Sequence, residues 1–139
     1  MAGFVSTVFL WGVMKLLYIG LFGGLGCVSR YLLTVWTQQL MGRNFPYGTL
    51  LVNVSGSFLL GLILSLGVRQ LPVSAELRLG LAVGFLGGFT TFSTFSYQTL
   101  ILLEEGSYWS AGTNILLNVV LCLTAVFAGM LVARYVAAW

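Results

Sequence analysis

Two helical stripes of hydrogen-bonding side chains lie in the most apolar parts of this chain. Thr49, Asn53 and Ser57 recur at intervals of four, as do Asn114, Asn118 and Cys122. That spacing puts each trio on one face of a helix. An asparagine offers two N–H donors and an acceptor, which suits a small anion and serves equally as glue between membrane helices. Between the stripes runs Gly84-Phe85-Leu86-Gly87-Gly88-Phe89-Thr90-Thr91-Phe92-Ser93-Thr94-Phe95-Ser96. There the Ser93 and Thr94 hydroxyls are interleaved with the rings of Phe92 and Phe95, which point the same way at i and i+3. A phenyl ring has a positive edge, and it meets a small anion weakly where a lysine would hold it too tightly. Arg30 sits well inside an apolar run. A charge there is costly unless it is paired, snorkels or reaches water. It therefore snorkels, bonds carbonyls at a helix end, or draws an anion into a vestibule.

The elements that carry these groups must lie in a membrane. Of 139 residues, 59% are hydrophobic and 6% charged, and the mean hydropathy is +1.03. That is the composition of an integral membrane protein. Hydropathy and breakers give four spans. The first runs about Leu16–Leu40, ended by Gly42-Arg43-Asn44 and Pro46, and the second about Tyr47–Val68, ended by Arg69 and Pro72. The third is Ala75–Leu103, capped by Ser74 and interrupted at Gly87–Thr91, and the fourth is Trp109–Val136. Each exceeds the ~20 residues that cross ~30 Å of hydrocarbon. Short connections make sequential helices antiparallel neighbours. Trp36, Tyr47, Tyr108, Trp109, Tyr135 and Trp139 stand near the span ends, as interfacial aromatics do. In span 1, Gly20 and Gly24 form a GxxxG with Gly23 and Gly26 beside them, a close-approach face. Residues 1–15 read as an N-terminal extension ahead of a four-helix transmembrane domain over 16–139. With no basic n-region this extension is no signal peptide; it continues helix 1 or lies at the interface.

The third span is poor helix material. Gly87 and Gly88 carry a large backbone-entropy cost, and Thr90 and Thr91 are β-branched. A break in hydrocarbon frees N–H and C=O groups that only protein or a wet cavity can satisfy. Hydroxyls and rings around such a break mark an ion or substrate site, the other reading being a small-residue packing surface.

Composition excludes much else. There is no histidine and no aspartate, and the acids are Glu76, Glu104 and Glu105. Zinc sites, Ser-His-Asp triads and Cys-His pairs are thereby ruled out, so the chain is no enzyme of those classes. A net charge of +3 without a basic cluster does not suit nucleic acid. Cys27 and Cys122 lack CxxC spacing and read as small packing residues. Proton- or cation-coupled exporters need an ionisable relay inside the spans, and its absence points to passive permeation of an anion. A channel must replace hydration without trapping the ion, a demand that neutral donors and ring edges meet. Four helices enclose little room, so an oligomer builds the pore.

These residues resemble a known family. The Gly84–Ser96 run is similar to the signature of the Fluc (CrcB) fluoride channels. The likeness continues through Gly23-Gly24-Leu25-Gly26 with Arg30-Tyr31, Gly48-Thr49-Leu50 with Asn53, and Asn114 with Asn118. It covers the chain from Leu16 to the last helix. The resemblance implies an all-α membrane protein whose third helix is broken, assembled as an antiparallel, dual-topology homodimer. Two fluoride pores would export toxic fluoride across the bacterial inner membrane. Carried over by position, Asn53, Phe92 and Phe95 line the pores, Ser93 and Thr94 add hydroxyls, and Asn118 and Cys122 continue the polar track. Arg30, Thr49 and Asn114 fall to vestibule or structural roles. Main-chain carbonyls of Gly87 and Thr90 from both subunits would hold a central structural sodium ion. Cys122 departs from the family pattern, which often has serine there, and a thiol is the weaker donor.

Two other classes share the outline. A small four-helix multidrug or metabolite exporter depends on a membrane-embedded acid, which span 1 lacks. A non-transporting accessory subunit would use the polar stripes for assembly alone. The charges bear on topology: Lys15, Arg69, Arg78 and Arg134 fall on one side of the four spans and Arg43 on the other. That bias favours a cytoplasmic N-terminus and sits against equal insertion both ways.

Overall fold

The computed structural model describes residues 2–68 and 74–138, with side chains placed from Gly12 to Gly67 and from Ser74 to Ala138. Its regular elements are helices: α1 (Ala2–Met41), α2 (Tyr47–Val68), α3 (Ala75–Leu79), α4 (Leu86–Phe89), α5 (Phe92–Glu104) and α6 (Tyr108–Val136). A π-helical stretch at Gly80–Phe85 joins α3 to α4. Among the described residues, four segments are long and apolar enough to cross a membrane: Gly12–Met41, Tyr47–Gly67, Ala75–Glu104 and Tyr108–Val136. Helix α1 is continuous from Ala2, so residues 2–15 extend the first span's helix upstream of Leu16. Arg69, Pro72 and Trp139, expected at span ends, lie outside the described residues.

Local chemistry sets the corners. Gly42 closes α1 at φ 82°, a conformation open to glycine, and its N–H reaches the Gln38 carbonyl at 3.0 Å. Pro46 then leads into α2 and accepts from Leu50 N at 3.1 Å. Gly106, at φ 75°, ends α5 in a Schellman motif: its N–H bonds the Leu103 carbonyl and Ser107 N–H bonds that of Leu102. Ser74 caps α3 by accepting from Leu77 N at 3.2 Å. Arg78 Nη1 bonds the Gly67 carbonyl at 2.8 Å and ties the start of the third span to the last turns of α2.

Glycines set the helix packing, but not the pair that forms GxxxG. A Cβ on Gly20 or Gly24 would meet nothing within 4 Å, whereas one on Gly26 would strike the Phe85 carbonyl. Gly23 faces Gly84, and Gly88 lies against the Gly23 carbonyl. The contact positions rise together along α1 and the third span, so those two run parallel. The same holds for α2 and α6, where Asn53 bonds Asn118 and Gly61 abuts Val126. Sequential spans are antiparallel, as short turns require. The buried centre is Val52, Leu86 and Phe89, with Leu33, Leu59, Leu60, Ile63 and Phe85 packed around it.

The break in the third span falls at Thr90–Thr91 and spares Gly87 and Gly88. Both glycines are helical in α4, while Thr90 (ψ 157°) and Thr91 (φ −152°, ψ 113°) are extended. Gly88 is needed for the close approach of α1, and the two threonines suit an extended backbone.

Candidate ion pathway at the helix break

Thr91 is where three helices meet. Its side-chain oxygen caps α5, accepting from Thr94 N at 3.2 Å. Its backbone is held by α2: Asn53 Oδ1 accepts from Thr91 N at 2.9 Å, and Asn53 Nδ2 donates to the Thr91 carbonyl at 3.2 Å. One carboxamide thus satisfies both backbone groups of Thr91, as burial in a membrane demands.

From Asn53 a chain of amides crosses to α6 and returns to α5. Asn53 Nδ2 also donates to Asn118 Oδ1 at 3.1 Å. Asn118 Nδ2 donates to the Asn114 carbonyl at 3.0 Å and to Asn114 Oδ1 at 2.9 Å. Asn114 Nδ2 donates to Thr99 Oγ1 at 2.8 Å, and Thr99 donates to the Phe95 carbonyl at 2.8 Å. Thr99 joins this network unforeseen. Its signal was available in the sequence, since it stands one turn beyond Phe95 on the same face of α5. The two stripes therefore meet, and both N–H groups of Asn53 and of Asn118 are engaged within the protein.

Hydroxyls collect at the same place. Thr91 Oγ1 donates its single proton to Thr94 Oγ1 at 3.0 Å, so in the 3.3 Å contact with Ser93 Oγ it is serine that donates. That leaves the Thr94 proton without a partner among the described residues.

Beside the break opens a cavity of about 470 Å³ lined by Asn53, Ser57, Gly87, Thr90, Phe92, Phe95, Asn118 and Cys122 among others. Phe92 and Phe95 lie with ring centroids 5.4 Å apart and planes at 51°. Phe95 is 8% exposed and Phe92 78%, so the Phe92 ring stands clear of the rest of the chain. The carbonyls of Gly87 and Thr90 have both lost their helical donors. Thr91 N, due to Gly87, goes to Asn53, and Thr94 N, due to Thr90, goes to Thr91 Oγ1. A Cβ on Gly87 would meet nothing within 4 Å, so that backbone is open to an approaching group.

A profile for the family described as "CrcB-like protein, Camphor Resistance (CrcB)" matches residues 17–130 of this chain. The chain belongs to the CrcB family. Curated relatives cover nearly their whole length with it. One from Geobacter sulfurreducens is 56% identical over 119 residues, 86% of this chain and 96% of the relative. One from Syntrophotalea carbinolica is 56% identical over 117 residues (84% and 94%), and one from Geotalea daltonii 50% over 124 (89% and 100%). Each is named "Fluoride-specific ion channel FluC".

The remaining candidates in this CrcB-family chain fall away from the break. Thr49 is buried and lines a second, more polar cavity of about 360 Å³ at the α1–α2 turn, together with Arg43, Tyr97, Gln98 and Glu105. Gln98 was not singled out in the sequence, although it lies one turn beyond Thr94; its Oε1 is buried there without a hydrogen-bond partner among the described residues. Asn114 is fully buried and touches neither cavity. Arg30 also lines neither; its Nη2 approaches Cys27 Sγ at 3.8 Å.

Proposed function

We propose that this chain is a fluoride-selective passive channel that lowers fluoride toxicity by letting the ion leave the cytoplasm of a bacterial cell through its inner membrane. The observation that carries the reading is 50–56% identity, over nearly their whole length, to relatives named as fluoride-specific ion channels. The groove at the break supports it chemically. The groove presents neutral hydroxyl and amide groups and ring edges, with no carboxylate among its lining residues. Fluoride is small and strongly hydrated, so it needs donors at every step and must not meet one that holds it. The Phe92 and Phe95 ring edges form a wall of the groove, and the Thr94 hydroxyl, its proton uncommitted, lies in the first turn of α5 outside that lining. Asn53 holds this geometry by fixing both backbone groups of Thr91.

The working unit in this reading is an antiparallel homodimer with two pores. An open groove with a largely exposed Phe92 beside the freed carbonyls of Gly87 and Thr90 supports that assembly. Two carbonyls from each copy, brought together on a two-fold axis, would give a hard cation four oxygen ligands. The donor set fits sodium, whose charge would bind the two copies together. The deciding experiment is efflux from liposomes holding only the purified chain, with a potassium ionophore. Fast fluoride efflux with negligible chloride efflux is expected; no efflux of either ion from folded protein would replace the channel reading with that of an accessory subunit.

A further inference from the structure

The register of α2 against α6 sets Ser57 on the groove side of α2. Asn53 bonds Asn118 across the parallel pair, a separation of 65 positions. Gly61 abuts Val126 at that same separation, two helical turns further on. Midway between them, Ser57 faces Cys122, and both line the groove at the break. Three hydroxyls line this groove, those of Ser57, Thr90 and Thr91. Thr90 donates to the Leu86 carbonyl at 2.9 Å and Thr91 to Thr94 at 3.0 Å. Other hydroxyls on the spanning helices fold back in the same way: Ser55 bonds the Leu51 carbonyl and Thr124 that of Val120. Ser57 makes no such bond among the described residues, and it stands in the groove with its proton uncommitted. The amides one turn away offer no substitute, since the N–H groups of Asn53 and Asn118 are spent within the protein. Cys122 brings a thiol, a weak donor.

We propose that the Ser57 hydroxyl contacts the permeating anion one turn beyond Asn53 and supplies the strong donor that Cys122 opposite it cannot. This rests on the fluoride-channel reading. At that level of the groove the anion loses a water and gains an O–H from α2.

The test is initial fluoride efflux from liposomes containing the full chain, each variant first shown to elute like the wild type. Ser57→Ala is expected to slow efflux about tenfold, the scale of one lost hydrogen bond to a charged group. Ser57→Thr keeps the hydroxyl and the rate. Moving the hydroxyl across the groove, in Ser57→Ala with Cys122→Ser, is expected to recover most of the loss, which a merely structural role for Ser57 would not do. Should the alanine variant aggregate, Ser57→Cys keeps the size and reads the same lost donor. A conducting wild type beside an equally fast Ser57→Ala or Ser57→Cys overturns the assignment of Ser57, as does a double variant no faster than Ser57→Ala. A wild type that passes no fluoride overturns the channel reading instead.

Discussion

Asn53 is the residue on which most of the local structure turns, because one side chain holds both backbone groups of Thr91 and still reaches Asn118. An aspartate in its place has no N–H. It would set acceptor oxygen against the Thr91 carbonyl and against Asn118 Oδ1, and would add a negative charge beside an anion path. Asn53→Asp is therefore expected to cut fluoride efflux by at least about tenfold and to lower stability in detergent by about 1–2 kcal/mol, the scale of interhelical polar bonds in membranes. Efflux assays and a chemical-unfolding curve would show both; wild-type efflux would remove Asn53 from the pathway. As for legibility, Thr49–Asn53–Ser57 and Asn114–Asn118–Cys122 were readable as stripes from their spacing alone. Their hydrogen-bonding state was not. Whether an amide is free for an anion or spent on a neighbour depends on what lies opposite, and Asn53 finds its partners 38 and 65 positions away.

At the scale of the helix, two kinds of glycine do different work. Gly42 and Gly106 end helices at positive φ, and both connections could be read from composition. Gly23, Gly26, Gly84 and Gly88 lie inside helices, where they bring α1 against the third span. Gly88→Ala would set a Cβ 2.5 Å from the Gly23 carbonyl, a backbone atom that moves only with its helix. A cost of about 1–3 kcal/mol is expected, the range for overpacking. Gly24→Ala meets nothing within 4 Å among the described residues of the chain, and it should be neutral or gain up to about 1 kcal/mol of helix propensity. Unfolding midpoints of the two variants in one detergent would check the pair; equal midpoints would mean the α1 contact is not as tight as drawn. The break was legible as a break. Its position was legible to the interval Gly87–Thr91 and no finer, because glycine weakens a helix without ending it when a neighbouring helix needs the room.

For the whole molecule, the parallel pairs α1 with the third span and α2 with α6 put Lys15, Arg78 and Arg134 at one end and Arg43 at the other. Arg78 is not a free surface cation, however, since its guanidinium caps the Gly67 carbonyl. A cation bound at a helix C-terminal end is partly offset by the local dipole, which shrinks the bias that opposes dual insertion. If both orientations are used, Ala138→Cys in a chain with Cys27 and Cys122 replaced by alanine should be labelled by an impermeant maleimide from either side, about half the molecules each way. Labelling from one side only would exclude the antiparallel dimer.

The sequence by itself determined that this is a four-span membrane protein, where its corners fall, and that its third span breaks among hydroxyls and rings. Those properties are local: hydropathy, turn chemistry and helix period act over a few residues. Only the tertiary structure decided that Thr90–Thr91 is the break, that Gly23 and Gly26 rather than Gly20 and Gly24 make the contact, and that Asn53, Asn118, Asn114 and Thr99 form one network. Each of those depends on which face of one helix meets which face of another, and that choice rests on close backbone approach and polar satisfaction between segments far apart in the chain.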